Sequence, residues 1–130
     1  MADFCIERRI YYHDTDAGGL VYYGNYLKHL EEGRTEFCLS KGVDTRALKD
    51  SGVVFPVVHI EIDYKSPARY MELIRIATRV EKIGTSSIRF QQEITRDGQL
   101  LVKALTEWAC VGNDFRAVPV PEDTHKRLLK

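Results

Sequence analysis

Apolar and polar positions alternate in steps of two over much of the chain's second half. Val58, Ile60, Ile62 and Tyr64 fall on one face of a strand, and His59, Glu61 and Asp63 on the other, within a run from Val53 to Tyr64. Three further strand-like runs follow: Met71–Ile83, Ser86–Thr95 and Leu100–Val111. The last two are joined by Arg96-Asp97-Gly98-Gln99, a tight hairpin turn, because Asp-Gly matches the backbone twist of antiparallel strands. An earlier strand runs from Phe4 to Tyr12, with Phe4, Ile6 and Ile10 pointing inward.

Between these strands the period changes to that of a helix. From Tyr26 to Lys41, the residues Tyr26, Leu27, Leu30, Arg34, Phe37, Cys38 and Lys41 share one stripe, mostly apolar and interrupted by Arg34. Asn25 suits the N-cap and Gly42 the first position past the end. Such a helix spans roughly 24 Å, enough to cross a sheet. A short second helix is expected over Asp44–Ser51, with Asp44 as its N-cap and Gly52 closing it. Pro67 sits in the connection Lys65–Tyr70, and the tail after Pro119 and Pro121 has the makings of one more helical turn. With no repeat, low-complexity segment or linker, residues 1–130 read as a single α+β domain. Its one long helix cannot cover a sheet of strands this long, so another copy of the chain is expected on an open edge or face, as a homo-oligomer.

Composition narrows the partners. Nineteen basic and nineteen acidic residues give a formal net charge of zero, so no global field favours nucleic acid or an anionic membrane. An anionic ligand needs a local basic cluster. No apolar run is long enough to span a bilayer, and MADFCIERR lacks the basic-then-apolar pattern of a secretory leader, which points to the cytoplasm. Cys5, Cys38 and Cys110 are odd in number, widely spaced and in apolar surroundings; without a CxxC they read as small core residues. His59, Glu61 and Asp63 share a face but read as a solvated or interface strand surface, and His13, His29 and His125 lack ligand spacing, so no metal or other cofactor is expected.

The chemistry concentrates between Tyr11 and Arg34, YYHDTDAGGLVYYGNYLKHLEEGR. The loop His13–Gly19 carries Asp14, Asp16 and two adjacent glycines, and the short link Leu20–Tyr23 leads into the helix. A carboxylate beside a helix N-terminus suits hydrolysis: the acid activates water, and the unpaired N–H groups of the first turn meet a developing oxyanion. The bland alternative is that Asp16 caps its own turn, as loop aspartates do. Asp14 reads as the turn-former. Glu31 lies three residues before Arg34, either as an ion pair with it or as a site carboxylate that orients water.

That stretch resembles the hotdog-fold acyl-CoA thioesterases, closest to the YbgC-like and 4-hydroxybenzoyl-CoA thioesterase branches. Their pattern is an aromatic-ended strand, D-x-D-x-x-G-x-V, an aromatic pair, N-Y, then a helix with E-x-x-R. Asp14, Asp16, Gly19, Val21, Tyr22, Tyr23, Asn25, Tyr26, Glu31 and Arg34 fill those places. DYKSPARYMELIRIATRV and IGTSSIRFQQEI continue the likeness, which covers residues 4–112. The resemblance implies a hotdog fold: an antiparallel sheet wrapped around the helix, paired into dimers that commonly form tetramers. It puts Asp16 in the place of the catalytic carboxylate. The backbone N–H near Tyr23 and Gly24 takes the place of the group that polarises the thioester carbonyl, and Glu31 remains a site carboxylate. Gly19, Val21, Asn25 and Tyr26 accompany them as substrate-binding positions, and Lys65 and Arg69 are the best basic candidates for the coenzyme A phosphates, ahead of Arg89. One departure stands out: many YbgC-like chains have His where this one has Tyr23, so no imidazole role carries over.

The expected activity is hydrolysis of an acyl-CoA thioester, with Asp16 as nucleophile or as base on water. The rivals are a thioesterase acting on acyl carrier protein, a hydratase or dehydratase on the same fold, and a non-catalytic acyl-thioester-binding or scaffold protein. Tyr23 in place of a His speaks against the hydratases, and the retained Asp16 and glycine-rich loop against the scaffold.

Overall fold

β1 (Cys5–Arg9), β2 (Val57–Tyr64), β3 (Leu73–Ile83), β4 (Ser87–Arg96) and β5 (Gln99–Ala109) form one antiparallel sheet in the order β1-β3-β4-β5-β2. α1 (Tyr26–Ser40) is the long helix, and α2 (Thr45–Asp50) and α3 (Glu122–Leu128) are short. This computed structural model describes residues 4–130; Met1–Asp3, the head of the segment read for a leader, lie outside it.

Most of the expected elements are present, and each departure has a local cause. β1 stops at Arg9 rather than Tyr12, because Tyr12–Asp14 coil into a 3₁₀ turn whose start is tied by Asp14 Oδ2 accepting the Tyr11 N–H at 2.9 Å. β2 begins at Val57 rather than Val53; upstream only Val54 bridges, to Val111. The β4–β5 hairpin turns at Asp97 (φ 50°) and Gly98 (φ 80°), the two left-handed residues that the Asp-Gly pair predicts. Asp44 caps α2 as expected, its Oδ1 accepting from Arg46 N at 2.9 Å and Ala47 N at 3.3 Å. Asn25 does not cap α1: it is itself helical, and its side chain is used elsewhere.

The buried stripe of α1 is Tyr26, His29, Leu30, Gly33, Arg34, Phe37 and Cys38. Relative to the expected stripe it has rolled to include His29 and Gly33, leaving Leu27 exposed and Lys41 over the Phe37 ring. Gly33 is the reason. A Cβ there would sit 2.7 Å from Ile76 Cγ2, 2.8 Å from Gln92 Nε2 and 2.9 Å from Thr78 Oγ1. The helix therefore lies on the sheet at a distance only glycine permits.

Around this contact the core divides in two. One apolar cluster gathers Ile10, Val21, Tyr26, Leu30, Ile74 and Ile94 near the start of α1. The other gathers Phe37, Cys38, Phe90, Trp108, Val120 and Leu128 near its end. Between them runs a buried polar seam. Gln92 Nε2 donates to Leu30 O (2.8 Å) and Thr78 Oγ1 (2.9 Å), while Arg34 Nη1 donates to Gln92 Oε1 (3.1 Å) and Thr106 Oγ1 (3.4 Å). Glu31 forms no ion pair with Arg34 among the described residues, contrary to one expectation, although its charge still favours the cation; desolvation dominates and lowers the pKa of Arg34.

The cysteines are free thiols in two settings. Burial pushes the Cys38 thiol up to about 12, with Arg34 opposing, and burial also raises Cys110. Since the thiolate is the nucleophile, iodoacetamide at pH 8 should label the folded protein at the half-buried Cys5 alone and label all three thiols after denaturation. Intact mass spectrometry reads this, and rapid native labelling of Cys38 would contradict the packing.

Candidate active site

The turn from Tyr11 to Asn25 is built on Asp14. Its carboxylate ties Tyr11, and its carbonyl accepts both the Tyr22 N–H (3.0 Å) and Asn25 Nδ2 (2.8 Å). The expected turn-forming role of Asp14 thus holds, and Asn25 supports it by bracing the loop. Val21 N donates to Ala68 O at 2.9 Å, and Leu20 bridges Arg69, pinning the loop to the connector between β2 and β3. Inside the turn, Asp16 O accepts Gly19 N, and Gly19 takes φ +78°.

This places Asp16, Val21, Tyr23, Tyr26 and Lys65 around one cavity of about 310 Å³, together with Leu20, Tyr64, Ser66 and Pro67. Asp16 spends Oδ1 on the Gly18 N–H at 2.9 Å, the turn-capping contact weighed in the sequence; Oδ2 has no partner among the described residues. The capping contact of Asp16 therefore occupies one oxygen only.

Tyr23–Asn25 form a 3₁₀ turn that runs straight into α1. Asn25 N–H donates back to Tyr22 O, whereas the Tyr23 and Gly24 N–H groups donate to no atom among the described residues. They are the orphan donors of a helix start, at the positive end of its dipole. Tyr26 is buried, its hydroxyl accepting the Ala68 N–H at 3.0 Å; burial is the main cause that raises its pKa.

Not every candidate converges here. Arg69 lies just outside the cavity, its N–H donating to Glu72 Oε1 at 2.7 Å. Glu31 lines a separate cavity of about 350 Å³ with Arg34, Thr35, Lys49, Val57 and Trp108. His59 pairs with Glu61 (2.9 Å) on exposed β2.

Two contributors were not singled out from the sequence. Tyr64 closes the cavity wall; the strand alternation placed it on the face of Ile60 and Ile62 but gave no sign that it reaches the loop. His29 is 6% exposed, with Nε2 3.3 Å from Asp14 Oδ1 and Nδ1 3.4 Å from Glu32 Oε1. It sits behind the loop, one position off the expected stripe, and only the roll of α1 brings it inside.

The chain matches known proteins over most of its length. The family model of the thioesterase-like superfamily matches residues 11–128. The acyl-CoA thioesterase YbgC of Haemophilus influenzae is 35% identical over 109 residues, covering 83% of this chain and 80% of its own. The 1,4-dihydroxy-2-naphthoyl-CoA hydrolase of Synechococcus elongatus is 30% identical over 125 residues, covering 94% and 92%. In structure, a 1,4-dihydroxy-2-naphthoyl-CoA thioesterase from Synechocystis superposes with a TM-score of 0.91 at 23% identity, covering 98% of this chain and 96% of that one. By its sequence match and its five-stranded sheet around one long helix, the chain belongs to the thioesterase-like superfamily and has the hotdog fold.

Proposed function

We propose that the protein is an acyl-CoA thioesterase, hydrolysing an acyl-CoA to the free acid and coenzyme A with Asp16 as base or nucleophile. One observation carries the reading: a single cavity is lined by both Asp16 and Tyr23, and at Tyr23 a helix start leaves two N–H groups, its own and that of Gly24, unengaged among the described residues. The names of the relatives from Haemophilus and Synechococcus point the same way.

The chemistry needs little more. A thiol leaving group ionises near pH 8.5, so the thiolate departs without a strong general acid. Asp16 Oδ2 either takes a proton from water as that water attacks the carbonyl carbon, or attacks it directly to form an anhydride that water then opens. The N–H groups of Tyr23 and Gly24 meet the oxygen as it gains charge. Lys65 at the cavity rim, with Arg69 just beyond it, supplies the positive charge for the coenzyme's phosphates; Gly19, Val21, Asn25 and Tyr26 shape the substrate's side of the loop.

A second copy completes the site. β2 is an open edge, with Val57, Val58 and Tyr64 all about half exposed. Pairing β2 antiparallel with its own copy about Ile60–Glu61 sets Val57 opposite Tyr64 of the other chain. The cavity that contains Val57 and Glu31 then abuts the one that contains Asp16, so Glu31 acts across the interface. Light scattering should give a dimer or tetramer of the 15.0 kDa chain; a monomer would remove this role for Glu31. The free thiols fit a reducing compartment, the cytoplasm.

The test is thiol release from a panel of short, long, branched and aromatic acyl-CoAs, with the matching acyl carrier protein thioesters alongside. Turnover of the coenzyme A thioesters supports the proposal. Turnover of carrier-protein thioesters alone, or tight binding with no turnover, would replace it.

A further inference from the structure

Tyr64 is the last residue of β2, far in sequence from the catalytic loop, yet its hydroxyl donates to the Tyr23 carbonyl oxygen at 3.2 Å. Its ring stands edge-on to Tyr23 (centroids 6.2 Å, interplanar angle 88°) and tilted against Tyr26 (5.7 Å, 52°). Tyr26 is in turn held by the Ala68 N–H. A buried, hydrogen-bonded tyrosine thus backs the ring of a half-exposed one, and the ring aims its hydroxyl at one carbonyl.

That carbonyl belongs to the same planar unit as the Gly24 N–H. A peptide group is rigid, with C=O and N–H pointing in opposite directions, so fixing the oxygen fixes the direction of the hydrogen. The Gly24 N–H is one of the two groups at the helix start that donate to nothing among the described residues. Gly24 adds no side-chain restraint of its own to this peptide, which lies in the first turn of the helix start. A donor on its oxygen also polarises the unit and strengthens the N–H at its other end.

We propose that Tyr64 is a positioning residue: by holding the Tyr23–Gly24 peptide, it presents the Gly24 N–H as a donor to the thioester carbonyl oxygen. This rests on the proposed thioesterase reaction for its catalytic effect, but not for the orientation itself. Desolvation, then the neighbouring Tyr23, raises the Tyr64 pKa, which keeps the hydroxyl a donor across the working range of pH.

Tyr64→Phe keeps the ring packing and removes only the donor. On the best substrate of the panel, kcat should fall about tenfold with KM within about twofold, because removing an oxyanion donor outright costs about 10²–10³ and here the donor is only loosened. Tyr64→Leu removes the stacking as well and should raise KM in addition. Unchanged kcat in Tyr64→Phe, with active wild type, overturns the proposal and leaves the thioesterase reading standing. NMR provides the arm that needs no turnover. In Tyr64→Phe the Tyr23 carbonyl ¹³C and the Gly24 amide resonances should move and the Gly24 amide should broaden, while amides of β4 stay in place. If those two signals do not move, the peptide is not held by Tyr64, whatever the enzyme does. If they move while wild type hydrolyses no thioester, the orientation holds and the reaction assigned to the site falls.

Discussion

Asp16→Asn is expected to fold like wild type and to lose thioester hydrolysis by a factor of about 10³ or more. The substitution is nearly isosteric. Its amide oxygen still accepts the Gly18 N–H, and the residue is exposed, so nothing in the turn must rearrange. What disappears is the basic, nucleophilic oxygen at Oδ2. A positioned general base contributes about 10²–10⁴, and Asp16 is the one carboxylate that this chain's described residues bring to the cavity. The loss should fall on kcat, since the cavity walls and the helix-start donors are untouched, and KM should change little. Steady-state thiol release from wild type and variant decides the matter. Activity within tenfold of wild type would mean that Asp16 only caps its turn.

The largest stability effect is expected at Gly33. Alanine there gains about 1 kcal/mol of helix propensity but puts a methyl group within 2.9 Å of three side-chain atoms, from Ile76, Thr78 and Gln92. None of the three yields easily: Ile76 and Thr78 are β-branched on a central strand, and Gln92 is tied to Leu30 O. Overpacking of this kind costs about 1–3 kcal/mol, and contact on three sides puts Gly33→Ala near the upper end, for a net loss of about 2 kcal/mol. Gly33→Val adds two more methyl groups to the same space and should cost more, above about 3 kcal/mol. Urea unfolding with an unchanged m-value would read both. A Gly33→Ala variant as stable as wild type would show that the helix can lift off the sheet freely.

The sequence carried the strands and the helix because both rest on period. Ile60, Ile62 and Tyr64 share the face that the alternation predicts, whereas a bulge at Val58 puts Val57 on that face in its place. The DxDxxGxV stretch carried the loop, because its residues act on near neighbours: Asp14 ties Tyr11, and Gly19 takes a left-handed φ. Long-range geometry was not legible in the same way. Asn25 looked like a cap by type, yet its amide reaches Asp14 because the loop folds back across it. His29 was left off the helical stripe, which was drawn through Leu27 and Leu30 on either side of it. Its burial follows from the roll that Gly33 allows, and that roll depends on side chains of β3 and β4 more than forty residues away. Thr78, Gln92 and Thr106 each take a place in an inward row of otherwise apolar residues on their strands, but only the folded sheet lines them up under α1. Tyr64 belongs to the same class: its face was legible, its reach was not.

The polar seam between the two apolar clusters works as a detent. A helix lying on an oily groove can slide along it at small cost, since one methyl group is much like the next. α1 cannot. Moving it by one turn, about 5.4 Å, would carry Gly33 out of its notch, drive a bulkier residue against Ile76 and Thr78, and break the bond from Gln92 to the Leu30 carbonyl. The helix is thereby locked lengthwise at its midpoint, and its first turn is held at a set distance from the strand that carries Tyr64. Gln92 and Gly33 touch no atom of the cavity, yet they calibrate it.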